Sequence, residues 1–168
     1  ANTFDSLSVT GAVTTVSFEN GSVQTVNFLS LPSGNCSAMV NINATGGTIA
    51  TISMTSGTFN GNYLHIDNVV ATGGATFNAT NSIGTGNTSG WNITAPTTAT
   101  YFWIGGTGNW TDSTHWSLTS GGAPALCRPA EINNVRFDAN SFSGFGQTVT
   151  INANAYCNSM SWTGSSFF

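Results

Sequence analysis

The chain has 168 residues, 5% charged and 39% hydrophobic, with two Arg, no Lys and a formal charge of -4. That hydrophobic share excludes disorder, which combines low hydrophobicity with high charge, and a chain of this length buries roughly 70% of its unfolded surface. The acidic balance excludes a nucleic-acid partner, because a phosphate backbone would meet repulsion. No apolar run approaches the roughly 20 residues of a membrane span. Ala1-Asn2-Thr3-Phe4 does not read as a signal peptide, so the sequence is expected to be a mature chain or an excised segment.

In chain order, Leu7 and Val9, Val16 and Phe18, Val26 and Phe28, Val40 and Ile42, and Ile52 and Met54 alternate with polar neighbours. Further along, Val135 and Phe137, and Val149 and Ile151, do the same. This is the period of a strand with one buried and one wet face. Turn clusters separate the runs, among them Glu19-Asn20-Gly21, Thr45-Gly46-Gly47 and Asn60-Gly61-Asn62, where glycine permits positive φ. Nowhere do apolar residues hold helical spacing for three turns between caps. The expected fold class is therefore all-β.

Two architectures accommodate short strands at this spacing: β-solenoid-like coils of stacked parallel strands, or two β-sandwich domains. Thr, Ser and Asn at the outward positions favour the solenoid, where like side chains stack in ladders. Pro96, within Ala95-Pro96-Thr97-Thr98-Ala99-Thr100, interrupts any ladder and marks a boundary. Residues 1–97 are expected to form the solenoid-like or sandwich region. Residues 98–168 then form a Trp-rich β module that continues into the next repeat.

The chain also echoes itself. Phe4-Asp5-Ser6-Leu7-Ser8-Val9-Thr10-Gly11 recurs as Cys157-Asn158-Ser159-Met160-Ser161-Trp162-Thr163-Gly164, and Gln24-Thr25-Val26-Asn27-Phe28 is matched by Gln147-Thr148-Val149-Thr150-Ile151. Self-similarity of this kind marks stacked units that need neighbours to bury an apolar face. It predicts a junction between repeats or subunits at Phe4, Leu7, Val9, Met160 and Trp162, with the C-terminal strands of one copy docked on the N-terminal strands of the next.

The second region carries Tyr101-Phe102-Trp103-Ile104-Gly105-Gly106-Thr107-Gly108-Asn109-Trp110, His115-Trp116-Ser117 and Trp162. The run from Tyr101 to Pro124, followed by Cys127 to Gly164, resembles a module of large repetitive extracellular bacterial proteins, notably Bacteroidota surface adhesins. Tyr63 to Ile93 is similar to the solenoid-like coils that accompany it. The resemblance implies export, repetition and β structure, and no reaction. An acidic stretch that often precedes the Phe-Asp pair in related modules is replaced here by Glu131-Ile132-Asn133-Asn134.

Enzyme chemistry finds little footing. His65 and Asp67 lie two apart on one strand face, which could mimic the base and orienter of a triad. Leu64 and Ile66 take the inward positions, however, which turns the pair to solvent. No G-x-S-x-G elbow is present, and no Lys follows Gly105-Gly106-Thr107-Gly108, which leaves that run as a turn. A pair of carboxyls for glycoside cleavage cannot be assigned, and a glycosidase fragment ranks third among the readings. Asn109, Asp112, Asp138 and Asn140 offer the hard oxygen ligands of a calcium site, against which stands the use of Asp and Asn in turns. No other cofactor is expected.

Three cysteines cannot all pair in one secreted chain. Cys127 and Cys157 lie in the same module and are expected to bridge, with Cys36 as a small buried apolar group and three reduced core thiols as the alternative. Tyr101, Trp103, Trp110 and Trp116 suit either core packing or a sugar-stacking platform. The function expected is a non-enzymatic structural repeat unit of an extracellular filament or cell-surface adhesin. The alternative is a carbohydrate-binding module of a secreted protein that takes surface glycans.

Overall fold

The computed structural model describes residues 1–164. Among them the fold is all-β, with short 3-10 turns at Thr45–Gly47 and Ser113–His115. Among the described residues no helix is long and apolar enough to cross a membrane. The chain forms two compact units, Ala1–Thr97 and Thr98–Phe168.

In the first unit the strands are β1 (Asn2–Ser8), β2 (Thr15–Phe18), β3 (Val23–Ser30), β4 (Val40–Ala44), β5 (Ala50–Met54), β6 (Thr58–Asn62), β7 (Leu64–Asp67), β8 (Val69–Thr72), β9 (Thr76–Thr80), β10 (Ile83–Thr85) and β11 (Trp91–Ile93). They assemble into three sheets, ordered β1-β3-β5-β8, β10-β7-β4-β2 and β11-β9-β6. Every strand ladder of this unit among the described residues is parallel. Parallel neighbours need a crossover, and here strands of the other sheets supply it. The chain runs β5, β6, β7 and then β8, β9, β10, with one strand added to each sheet per circuit.

Alternation in the sequence fixes the inward rows. Val26 and Ile52, Ile42, Leu64 and Ile66, and Phe59, Phe77 and Trp91 all enter one core. Full burial of such a side chain contributes about 1.5–3 kcal/mol. Trp91 stands edge-on to Phe59 at 5.6 Å and donates from its indole Nε1 to the Val69 carbonyl at 2.9 Å. Gly90 lets the chain enter this corner. Its φ is +83°, and a Cβ there would strike the carbonyl oxygen of Ala71.

The expected pairing of Val26 with Phe28 on one face does not hold. Asn27 and Phe28 are both exposed, Phe28 at 56%, and Leu29 is buried instead. The partner strand makes the same change: Phe4 and Leu7 lie opposite Val26 and Leu29, and Asn27 Nδ2 donates to Asp5 Oδ1 at 3.1 Å where the change occurs. The ladder of β3 to β5 ends at Met54. Beyond it β3 has one ladder neighbour, and a two-stranded ribbon twists more freely than a sheet interior.

The second unit holds β12 (Thr100–Trp103), β13 (Gly108–Asn109), β14 (Trp116–Ser117), β15 (Asn134–Phe137), β16 (Val149–Thr150) and β17 (Ser159–Trp162). Its sheets are β14-β12-β15-β17 and β13-β16. Of its ladders between strands among the described residues, β12 with β14 is antiparallel and the others are parallel. Tyr101, Trp103, Trp110, Trp116, Val135, Phe137 and Phe142 form its core. Val149 packs against that core, but Ile151 is 63% exposed. The strand β16 stops at Thr150, so the alternation expected at Ile151 has no ladder to impose it.

Candidate assembly edges

The two echoing segments become strands of the same kind. Each lies at the end of its sheet, β1 beside β3 and β17 beside β15, and each runs parallel to its neighbour. Leu7 and Val9 are half-buried against the first core. Met160 and Trp162 stand opposite Val135 and Phe137 and remain 47% exposed. The Trp162 ring stacks on Phe137 at 3.9 Å, 13° from parallel, and lies nearly parallel to Phe142. Phe4 is 40% exposed opposite Val26. After both strands the chain turns on a glycine with positive φ, Gly11 at +97° and Gly164 at +71°.

Outward side chains join the strands of the first unit. Asn92 Nδ2 donates to Asn78 Oδ1 at 3.1 Å and Asn78 Nδ2 to Asn60 Oδ1 at 2.9 Å, on residues in register across β11, β9 and β6. His65 lies on the outer face, between inward Leu64 and Ile66. Its Nδ1 is 3.2 Å from Asn41 Oδ1 and its Nε2 is 3.1 Å from Thr85 Oγ1. The Thr85 hydroxyl donates to Asp67 Oδ1 at 3.0 Å. His65 and Asp67 are thus bridged by Thr85 and serve the ladder between strands, where a triad would join base and orienter directly. A cleft of about 240 Å³ between residues 12–14 and 33–40 has walls of Val13, Met39, Val40 and small or polar neighbours.

The four rings considered as a sugar platform are core. Tyr101 is 7% exposed, Trp110 2%, and Trp103 and Trp116 are fully buried. Trp103 stacks on His115 at 4.7 Å and meets Trp116 edge-on at 4.9 Å, while Trp110 meets Trp116 at 4.7 Å. Both inner indoles are satisfied by backbone: Trp103 Nε1 donates to Gly106 O at 2.7 Å and Trp116 Nε1 to Trp110 O at 2.9 Å. A unit with few Leu fills its interior with its largest side chains.

The four oxygen-bearing residues considered for calcium each make a turn. Asp112 caps the turn Ser113–His115, where its Oδ1 accepts from the Thr114 hydroxyl at 2.7 Å and the Thr114 amide at 2.9 Å. The Thr114 hydroxyl, then the Thr114 amide and the nearby His115 hold the Asp112 carboxyl below its ordinary range. Asp138 Oδ1 accepts from the Asn140 amide, Asn140 Nδ2 donates to Ser120 Oγ, and the Asn109 carbonyl accepts from the Asp112 amide. Among the described residues no three His, Cys, Asp or Glu side chains gather as a metal site.

The expected bridge between Cys127 and Cys157 is not formed. Cys127 and Cys36 are each disulfide-bonded, while Cys157 is a partly buried free thiol. Cys157 packs as a small apolar group against the second core, the part expected of Cys36. Comparison with family models, with curated proteins and with solved structures finds no match for this chain.

Proposed function

We propose that this chain is a non-enzymatic structural repeat unit of an extracellular filament or cell-surface adhesin, with units joined end to end through their terminal strands. The observation that carries this reading is the likeness of β1 and β17. Segments that share Ser, Ser, Thr and Gly both become parallel strands at sheet ends, keep apolar side chains half in contact with a core, and end on a positive-φ glycine. Natural proteins blunt such edges with charge or Pro, and β17 carries neither.

The first unit is read as a three-sheet β-solenoid. Its parallel ladders and its ladder of Asn60, Asn78 and Asn92 support that, because each circuit of chain leaves a face ready for the next. An oxidised cysteine pair fits an oxidising compartment. The carbohydrate-binding alternative loses its four rings to the core.

Sedimentation velocity and negative-stain imaging over a concentration series test the reading. Wild type is expected to grow into threads, and Met160→Lys to stay monomeric with its fold intact, since a Lys at the seam would be buried without a partner. Wild type that remains a compact monomer at its highest soluble concentration would sink the filament.

A further inference from the structure

The end-to-end reading leaves open how two terminal strands meet, and the hydrogen-bond parity of β1 and β17 answers it. Along a strand, successive N–H groups point to opposite edges. In β1 the N–H of Val9 reaches Ser30 O at 2.9 Å, on the β3 side. In β17 the N–H of Thr163 reaches Phe137 O at 2.8 Å, on the β15 side. Thr163 corresponds to Thr10, one residue beyond the equivalent of Val9. Alternation therefore turns the N–H of Trp162 away from β15, toward the edge that in β1 faces β3. The two strands are one strand in two half-built settings: β17 has the neighbour on one side, β1 has the neighbour on the other.

We infer that β17 of one copy replaces β1 of the next and lies directly on that copy's β3, in the register that β1 holds in the isolated chain. The partner is a second copy of this chain, and the inference rests on the end-to-end reading above. The side chains fit the exchange. Leu7 lies opposite Leu29, so its counterpart Met160 would stand between Val135 on one side and Leu29 on the other. Trp162 would continue the row from Phe137 in the place of Val9. Both side chains are 47% exposed in the single chain, and a strand on the far side would cover them. Asn158 stands for Asp5. Its Nδ2 donates to Asn134 Oδ1 at 3.0 Å on the β15 side, and its Oδ1 can accept from Asn27 as Asp5 Oδ1 does at 3.1 Å. Exchange gives β3 a strand whose other edge is already paired, and a continuous sheet β14-β12-β15-β17-β3-β5-β8 results.

Cysteine cross-linking separates replacement from simple addition of β17 outside β1. Ser30 lies opposite Ser8, and Ser161 is the counterpart of Ser8. In a background of Cys157→Ser with the native bridge intact, chains carrying Ser161→Cys are mixed with chains carrying Ser30→Cys, and separately with chains carrying Ser8→Cys, under mild oxidation. With β17 on β3 the first pair are in-register neighbours within disulfide reach. With β1 between them they stand about 9–10 Å apart, beyond the roughly 7 Å limit. A covalent dimer from the Ser161/Ser30 mixture is the expected result. Assembly without that cross-link overturns replacement and leaves the filament standing, whereas a mixture that neither assembles nor cross-links overturns both.

Discussion

Truncation of Trp103 to Ala tests whether the tryptophans of the second unit are its core. The side chain is fully buried, stacked on His115 at 4.7 Å, edge-on to Trp116 at 4.9 Å, and bonded through Nε1 to Gly106 O at 2.7 Å. Removal of a buried Trp side chain costs about 3–5 kcal/mol. The Gly106 carbonyl, left without its donor, adds about 1 kcal/mol. A unit of this size carries on the order of 4–11 kcal/mol in total, so Trp103→Ala should leave the second unit largely unfolded at room temperature. Trp103→Phe keeps the ring contacts, loses the N–H donor, and should cost about 1–2 kcal/mol. Urea unfolding followed by far-UV circular dichroism measures both. A Trp103→Ala chain within about 1 kcal/mol of wild type would refute the reasoning, since only a ring that packs on nothing can be removed so cheaply.

Other perturbations read different parts of the structure. Gly90→Ala forces a Cβ into a φ of +83° and against the Ala71 carbonyl; a loss of more than about 2 kcal/mol in the first unit is expected, and an unchanged melting temperature would count against the tight corner. Non-reducing peptide mapping should find Cys36 and Cys127 oxidised, with Cys157 alkylated without prior reduction, while a Cys127–Cys157 peptide would contradict the structure. The Asp112 carboxyl is lowered by Thr114, so its contribution to the Ser113–His115 turn is complete above the ordinary carboxylate range and is lost as pH falls through the lowered value. The Thr114 amide resonance should accordingly titrate below that range, and a midpoint within or above it would disprove the cap.

The amino-acid sequence by itself determined that the chain is all-β and which side chains alternate inward along Val40 and Ile42, Ile52 and Met54, and Val135 and Phe137, because a period of two is a local property of an extended backbone. The echo of Phe4–Gly11 in Cys157–Gly164 was legible for the same reason: the Ser, Ser, Thr and Gly shared by the two segments describe one strand and one turn, whatever lies beside them. Partner choice was settled only by the tertiary structure. That β1 pairs with β3 and β17 with β15, that Leu29 displaces Phe28 where the ladder to β5 ends, and that Cys127 is oxidised while Cys157 stays a free thiol all depend on residues brought together from distant parts of the chain. The tryptophans show the same limit, since an aromatic ring suits a core and a sugar face equally well by composition, and only neighbours on both faces of Trp103 decide between them.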